Sequence, residues 1–262
     1  MTDLDWIYIS SNRSEGSHDG GWQTLHAQSE GLPPAADLVA GWNAQAFSTK
    51  KVAVVLEDDF LYPMRIALDG APPRKELHHF LLWKLKRHLP FPVEQVSLRY
   101  LPLTAPHTYL TFALPNPWLE ALDRAFSDRG VHCGYVGGLF STLLENATSL
   151  RSDTSVGFFG DFYLLTKRGK RGDYEHFSTR RLPYGVDGKL DLDTLIEHDL
   201  EPVCREAGSA KVSLYNLAPE LDRAFTEVFQ RLKSNHASVW AAVPEGTALQ
   251  RFQSYMGLGG ES

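Results

Sequence analysis

Apolar and polar residues follow two patterns along the chain, short apolar runs and stretches with helical spacing. Runs rich in β-branched and aromatic residues predict strands. These runs cover residues 6–9, 22–27, 52–56, 60–68, 96–101, 109–114, 131–136, 156–167, 174–182, 211–217 and 238–243. Apolar residues three and four apart predict helices over 35–47, 75–88, 118–128, 139–147, 192–205 and 218–233. This order predicts an α/β protein with mixed sheets and flanking helices.

Turn-forming residues between consecutive runs predict three hairpins. A polar, glycine-rich turn joins 6–9 to 22–27, an acidic turn at 57–59 joins 52–56 to 60–68, and the basic turn KRGKRGD (167–173) joins 156–167 to 174–182. Pro63 predicts an edge or a bulge, because proline cannot donate to a β-ladder. Residue identities show no internal repeat, although both halves share hairpins followed by helices.

The segment 72–103, PPRKELHHFLLWKLKRHLPFPVEQVSLRYLPL, has the most regular pattern. It predicts an amphipathic helix with an apolar face and a basic outer side. The apolar face is predicted to hold Leu77, Phe80, Leu81, Leu85 and His88, and the outer side Lys75, His78, Lys84, Lys86 and Arg87. Pro90 and Pro92 end the helix, because proline lacks the amide hydrogen and clashes with a continuing helix.

The composition is that of an ordinary globular protein, with 43% apolar and 22% charged residues. A net charge of −6 gives no general attraction to nucleic acid or anionic lipid. The presence of a local basic patch is left as an alternative. Cys133 and Cys204 lack metal-binding spacing and are predicted to be free buried thiols. The acidic start, MTDLDW, and the lack of an apolar run near ~18 residues predict a cytoplasmic protein.

Several clusters of histidine or acidic residues resemble metal sites, but surface exposure, packing and helix capping explain them better. Adjacent helical positions point about 100° apart, so His78 and His79 are predicted to lie on the surface and not to chelate one ion. His88 is predicted to pack with a hydrogen bond. The acidic stretch 187–201 does not have the loop glycine and the terminal glutamate at the offsets that a calcium loop requires. Asp191 and Asp193 are therefore predicted to cap the next helix and favour its start.

Signatures of the common catalytic sites, GxSxG, GxxxxGKS and HExxH, are absent from the sequence. Gly130, Gly134, Gly137 and Gly138 could form a phosphate-binding loop, but the first of them follows a helix and not a strand. Helix termination and tight turns are therefore favoured. The basic cluster KRGKRG (167–172) is predicted at a solvated hairpin tip, with docking to an acidic partner as the alternative.

Three consecutive features resemble the type IV pilus assembly protein PilM family in order, spacing and residue type. They are VAVVLEDDFLYPMRIAL (52–68), a helix that starts RKEL, and the exit LPFPVEQVSLRYLPL, in which 89–92, Glu94, Val96 and Tyr100 match the family pattern. The likeness continues through 109–147, with a family-type turn at 129–131, and RRLPYG (180–185) is similar to the family's later strand exit. A more distant resemblance is to the cytoplasmic part of type II secretion protein L.

The resemblance implies a reduced actin-like (ribonuclease H-like) two-lobed fold. Residues 1–150 would form the first lobe with an inserted PilM-like subdomain, and residues 151–262 a shortened second lobe. It also implies a cytoplasmic scaffold, peripheral at the inner membrane, that binds a short cytoplasmic segment of a bitopic, PilN-like pilus or secretion subunit at a strand edge or groove. Membrane contact would be indirect, no nucleic acid is expected, and homo-oligomer formation stays open.

Actin-like ATPases hold phosphate and magnesium with acids and closely spaced glycines at strand turns, and this chain departs from that pattern three times. The first turn, YISSNRSEG (8–16), has no acid in the strand and no glycine at the turn. In the second, SVGFFGDFYLLT (155–166), Phe159, Phe162 and Tyr163 crowd the surroundings and Asp161 is not followed by glycine. The third is replaced by LYNLAPE (214–220). These departures predict no ATP hydrolysis, no cofactor and no metal.

Two alternatives stay open. The chain could be an actin-like ATPase with divergent motifs, in which Asp153 or Asp161 would face the magnesium ion. It could also be a regulatory binding module that keeps only the fold. The short stretch between Pro202 and Ala218 favours the scaffold, because it leaves little room for the small subdomain that nucleotide-binding relatives insert.

Overall fold

The computed structural model describes residues 5–10, 13–18, 21–26, 31–40, 50–146, 154–169, 174–242 and 244–256. The chain divides into two compact units, Met1–Thr142 and Leu143–Ser262. The lobe boundary at position 150 stays a prediction. Within the ranges given, no helix combines the length and the apolar character needed to span a membrane.

The first unit is built on a five-stranded sheet. Its strands are β1 (Asp5–Ile9), β2 (Arg13–His18), β3 (Gly21–His26), β4 (Lys51–Leu56) and, further along the chain, β8 (His132–Gly138). The order is β3-β2-β1-β4-β8, in which β1 to β3 form an antiparallel meander and β4 and β8 add in parallel. Residues 52–56 are apolar and buried, as a central strand covered on both faces requires.

The predicted N-terminal hairpin is wrong in one respect, because its polar turn contains strand β2. Ile7 pairs with Gly16 and Ile9 with Ser14, so the predicted return strand, found as β3, pairs with β2 and not with β1. Strand β2 reads RSEGSH and has no apolar side chain to reveal its period of two.

Among the described residues, three helices outside the insert described next lie in this unit or begin in it, and the last of them continues past the unit boundary at Thr142. They are α1 (Ala35–Ala40), α3 (Asn116–Ser127) and α4 (Leu139–Asn146). Of the predicted first helix, 35–47, residues 41–47 lie outside the described residues. Helix α3 buries Leu122 and Phe126, and its Trp118 Nε1 donates to the carbonyl of Pro33 (2.8 Å). That hydrogen bond ties α3 to the segment that precedes α1.

A small α/β insert separates β4 from α3. It comprises β5 (Met64–Ala67), α2 (Leu77–Leu85), β6 (Val96–Pro102) and β7 (Thr108–Pro115), with strand order β5-β7-β6. The predicted pairing of 52–56 with 60–68 is therefore wrong: Asp58–Leu61 is a 3-10 turn, and β5 joins a different sheet. Helix α2 packs through Leu81 and Leu85, whereas Phe80 and His88, predicted on the same face, are exposed.

The second unit has a sheet of the same kind. Its strands are β9 (Thr154–Phe159), β10 (Phe162–Arg168), β11 (Tyr174–Arg181), β12 (Val212–Asn216) and β13 (Val239–Ala242). The order is β11-β10-β9-β12-β13, with β9, β12 and β13 parallel. The single strand predicted over 156–167 is two strands joined at Gly160 and Asp161, where Gly160 has a φ of +52°.

Helices of the second unit follow the strands in alternation. A continuous helical segment comprises α5 (Leu192–Thr194), a π-helical stretch (Leu195–Leu200) and α6 (Glu201–Ala207), and it is followed later by α7 (Asp222–Asn235) and α8 (Ala248–Met256). Helix α8 was not predicted, although Leu249 and Phe252 are fully buried. The tail 256–262 was predicted to fray, and its residues after Met256 lie outside the described residues.

Both sheets follow one connectivity. Each has a three-stranded antiparallel meander, then a helix, a parallel strand, a helix, a second parallel strand and a final helix. The shared pattern of the two halves is thus confirmed at the level of topology, without a repeat in sequence.

Candidate functional site: the turns at the strand ends

In the first unit, the turn after β1 corresponds to the first predicted phosphate motif. Residues 11 and 12 of this turn lie outside the described residues. Ser10 is buried, and the carbonyl of Ile9 accepts a hydrogen bond from the amide of Glu57 (2.8 Å). The strand does contain an acid, Asp5, which corrects the expectation of none, but Asp5 begins β1 and the turn follows the opposite end.

A buried carboxylate at the end of β4 stabilises the start of helix α4. Asp58 is 0% exposed, and its Oδ1 accepts a hydrogen bond from the amide of Ser141 (2.8 Å) in the first turn of α4. Gly138 permits this approach, because a Cβ at that position would lie 2.4 Å from Asp58 Oδ1 and 2.6 Å from Leu61 Cδ1. Asp58 was predicted to lie in a turn. Its carboxylate also caps helix α4, which is distant in sequence.

The glycine cluster near α3 and β8 is only partly as predicted. Gly130 follows α3 with a φ of +72° and ends it, which confirms helix termination. Gly134, Gly137 and Gly138 lie within strand β8 and not in tight turns. The register of β8 against β4 shifts at Gly134, and a Cβ at Gly137 would meet the hydroxyl of Tyr135 at 2.3 Å. Close packing thus explains Gly137 and Gly138, and the register shift accounts for Gly134.

The second phosphate motif is a two-residue hairpin turn in the second unit. Phe159 and Phe162 flank it as a strand pair, and their rings stack with centroids 6.4 Å apart. Asp161 Oδ1 accepts a hydrogen bond from the hydroxyl of Tyr184 (3.2 Å), and burial, followed by this carboxylate, raises the pKa of Tyr184 to about 12. Asp153, the other acid that an ATPase would need here, lies outside the described residues.

The third motif, the loop that follows β12, is filled by the protein's own groups. The amide of Asn216 donates to the hydroxyl of Tyr255 (3.2 Å) and that of Leu217 to the carbonyl of Phe158 (2.9 Å). The next amide, of Ala218, donates to Oδ1 of Asn216 (3.0 Å). Three consecutive amides are therefore already used inside the second unit.

An ion pair holds this loop in place. Arg251 on α8 is 3% exposed, and its Nη1 and Nη2 donate to the two carboxylate oxygens of Asp222 at 2.6 and 2.7 Å. Asn216 Nδ2 donates to the same carboxylate (2.7 Å). The hydrogen bonds from Arg251, followed by its charge, hold the pKa of Asp222 below its ordinary value. The network links the β12 loop, α7 and α8.

A pocket of about 450 Å³ lies beside strands β10 and β11 in the second unit. The π-helical stretch supplies His198 and Asp199 to its wall, and such stretches are frequent at functional sites. The hydroxyl of Tyr163 is buried in the wall of this pocket, beside Arg180 and Asp199. Burial and then the nearby Asp199 raise the pKa of Tyr163, and Asp199 is ion-paired with Arg180. No motif in the sequence predicts this pocket.

Other predicted residues lie away from these places. His78 and His79 are on the surface as predicted, and His88 is exposed instead of packed. Asp191 caps the helix that begins with α5, because its carboxylate accepts hydrogen bonds from the amide (3.0 Å) and the hydroxyl (2.7 Å) of Thr194. These hydrogen bonds lower the pKa of Asp191. Asp193 lies in the first helical turn, as predicted.

Both thiols are free, with Cys204 buried and Cys133 half-buried, and burial raises the pKa of each to about 11. No group of three or more potential metal ligands occurs among the residues with described positions.

The basic cluster KRGKRG only partly forms a hairpin tip. Lys167 and Arg168 belong to β10, and residues 170–172 lie outside the described residues. Lys167 Nζ is 2.8 Å from Glu206 Oε1 and 3.6 Å from Glu175 Oε2, and the hydrogen bond to Glu206 raises its pKa. At least this part of the cluster is neutralised within the protein.

Comparison with solved structures identifies the class of fold. A protein of unknown function from Bacteroides thetaiotaomicron with an actin-like ATPase fold covers 91% of this chain and 90% of its own, with a TM-score of 0.54 at 11% identity. The duplicated topology described above therefore belongs to an actin-like fold, as the resemblance implied. No family model and no curated protein matches the sequence.

Two further solved structures are similar to this chain over most of its length. The cytoplasmic domain of EpsL, an inner membrane component of the type II secretion system of Vibrio cholerae, covers 96% of this chain and 93% of its own, with a TM-score of 0.50 at 13% identity. A PilM–PilN type IV pilus biogenesis complex covers 97% and 86%, with a TM-score of 0.47 at 15% identity. At identities this low, the comparison establishes the fold and not the activity.

Proposed function

We propose that this protein is a non-catalytic scaffold of a type IV pilus or type II secretion-like assembly, which binds a short cytoplasmic segment of an inner-membrane partner. The absence of catalysis is supported mainly by the hydrogen bonds in the loop after β12. Phosphate binding at a strand turn needs backbone amides that point at the anion. Here the amides of residues 216–218 already donate to oxygens of the protein.

The second motif supports the same proposal. A two-residue turn flanked by stacked phenylalanines leaves a single glycine, Gly160, and the acid beside it is hydrogen-bonded to Tyr184. A phosphate or a hydrated magnesium ion would have to displace that contact. An actin-like fold kept without these features fits a protein that is used for its binding surfaces.

The assembly role has two supports. The residue pattern of 52–103 resembles the PilM family, and the fold is similar to that of the EpsL cytoplasmic domain, which belongs to a secretion system of the inner membrane. Together they favour a partner that is a bitopic, PilN-like subunit, and a location at the cytoplasmic face of the inner membrane.

The pocket beside β11 is our candidate for the place where the partner segment binds. Strand β11 is the edge of its sheet, so an extended segment can add to it by backbone pairing. The Arg180–Asp199 pair in the pocket wall can then hydrogen-bond to polar groups of the segment. Apolar walls come from Leu165, Pro202 and Val203.

Capture of cytoplasmic peptides from candidate membrane subunits tests this proposal. We expect one such peptide to retain the full chain, and Arg180→Glu to weaken capture at least tenfold, because it reverses a charge in the pocket wall. Lys189→Glu is the matched control, since Lys189 is 85% exposed on a loop outside the pocket. If no peptide is captured, the scaffold assignment fails, and equal capture by both variants would reject the pocket as the site.

A further inference from the structure

Helix α2 of the insert exposes two large aromatic side chains. Trp83 is 67% exposed and Phe80 42%, and they lie one helical turn apart. The opposite face of the helix, with Leu81 and Leu85, is fully buried against the three-stranded sheet. The aromatic pair is therefore not part of the core that holds the insert together.

Basic side chains surround this aromatic pair. Between positions 74 and 87 the sequence has five lysines and arginines against one glutamate, in a chain with a net charge of −6. Lys75 lies two residues before α2, and Lys86 and Arg87 follow it directly. Extending the helical spacing of 100° per residue to these flanking turns places all three on the side of Trp83. All three are exposed, and Lys84 Nζ lies 5.6 Å from the centre of the Trp83 ring. The face is thus a positive patch within an acidic protein.

A hollow of about 630 Å³ lies beside the aromatic pair. Among the residues that the structure describes, Glu76, His79, Phe80 and Trp83 line this hollow, and they belong to α2 and its N-cap. Peptides that bind by their side chains generally use a groove with two walls. Exposed aromatic rings with basic side chains around them, presented by one helix among the described residues, are instead complementary to a broad, deformable and negatively charged surface.

We propose that the exposed face of α2 binds directly to an anionic lipid bilayer. Phe80 and Trp83 would enter the interfacial layer, where amphipathic aromatic rings are favoured, while Lys75, Lys86 and Arg87 would contact lipid phosphates. A single short helix gives weak, salt-sensitive binding, because the lysines and arginines act through screened charge. This contact is independent of the proposed partner and adds to any placement through it.

Co-sedimentation of the full chain with lipid vesicles tests the proposal. We expect binding to vesicles of phosphatidylethanolamine and phosphatidylglycerol, little binding to phosphatidylcholine, and release by added salt. Replacing Lys86 and Arg87 together by glutamine should weaken binding roughly 25-fold, given the free energy that each basic residue contributes at an anionic surface. Trp83→Ala should weaken it about tenfold.

A second tryptophan–lysine pair provides the matched control. Trp240 is 42% exposed in the second unit, and Lys211 Nζ lies 4.3 Å from its ring centre. Trp240→Ala should leave vesicle binding unchanged, with thermal melts confirming that both tryptophan variants fold. Quenching by brominated acyl chains should decrease in Trp83→Phe, which keeps an aromatic ring but removes the fluorophore.

The proposal is overturned if the α2 variants sediment with anionic vesicles as the original chain does. It is also overturned if the full chain does not bind anionic vesicles. A shift of tryptophan fluorescence on titration with an acidic peptide, lost in Trp83→Phe, would then show that a peptide occupies this face.

Discussion

Replacing Asp222 by alanine is expected to lower the free energy of unfolding by about 2–3 kcal/mol. The substitution leaves the guanidinium of Arg251 buried without its carboxylate, and an uncompensated buried charge is strongly destabilising. It also removes the acceptor of Asn216 Nδ2. The cost falls below that of a fully buried pair, because the Asp222 side chain is 49% exposed and water screens part of the interaction. Urea denaturation of the full chain measures the change.

Asp193→Ala is the matched control for Asp222. Asp193 pairs with Arg231 at 2.8 Å, but its side chain is 76% exposed, so its loss should cost well under about 1 kcal/mol. Asp222→Ala combined with Arg251→Met should recover part of the loss, since an apolar side chain then fills the site. Equal midpoints for the two single variants would show that the β12 loop does not depend on this network.

The pH dependence of stability follows from the same pair. Because Arg251 lowers the pKa of Asp222 in the folded protein, the pair stabilises fully above the ordinary value of 3.8. This contribution is lost as the pH falls through the lower folded value. The difference in stability between the original chain and Asp222→Ala should therefore narrow in acid.

Gly138→Ala is expected to lower the free energy of unfolding by about 2–3 kcal/mol. The added Cβ would lie 2.4 Å from both Asp58 Oδ1 and Ser141 Oγ, in a place where Asp58 is fully buried and cannot swing into solvent. Asp58 would have to give up its hydrogen bond to the Ser141 amide, which removes the cap of α4. Thermal and urea denaturation both measure the effect.

Gly70 provides the control for that substitution. A Cβ at Gly70 meets no atom within 4 Å, and its φ is not positive. Gly70→Ala should therefore be neutral, or stabilising by a few tenths of a kcal/mol through the unfolded state. If Gly138→Ala is as stable as Gly70→Ala, the close contact between β8 and Asp58 is not as described.

Most strands and helices could be predicted from local pattern alone. Strands β4 and β12 are short apolar runs, and α3 has both helical spacing and a proline in its first turn. Strand β2 escaped prediction because it lacks apolar residues, and α8 escaped although its apolar residues have helical spacing. The pairing of the strands was harder to predict than their positions in the sequence. No local pattern shows that a 3-10 turn follows β4 at Asp58 and that β5 belongs to another sheet.

The site could be predicted only in outline. The sequence shows that LYNLAPE lacks the glycines of a phosphate loop, but not what replaces them. Arg251 is 29 positions from Asp222, and only the packing of α8 brings the two together. Likewise Phe80 has near-helical register with the buried leucines, yet the insert's small sheet covers only part of α2, which leaves Phe80 and Trp83 exposed.

Titration of the full chain with ATP and magnesium, followed by isothermal calorimetry, tests the central claim most directly. We predict no binding at millimolar nucleotide, because the amides after β12 and the acid at the β9–β10 turn are engaged within the protein. A dissociation constant in the micromolar range would contradict this account and show that the actin-like fold has kept its nucleotide site.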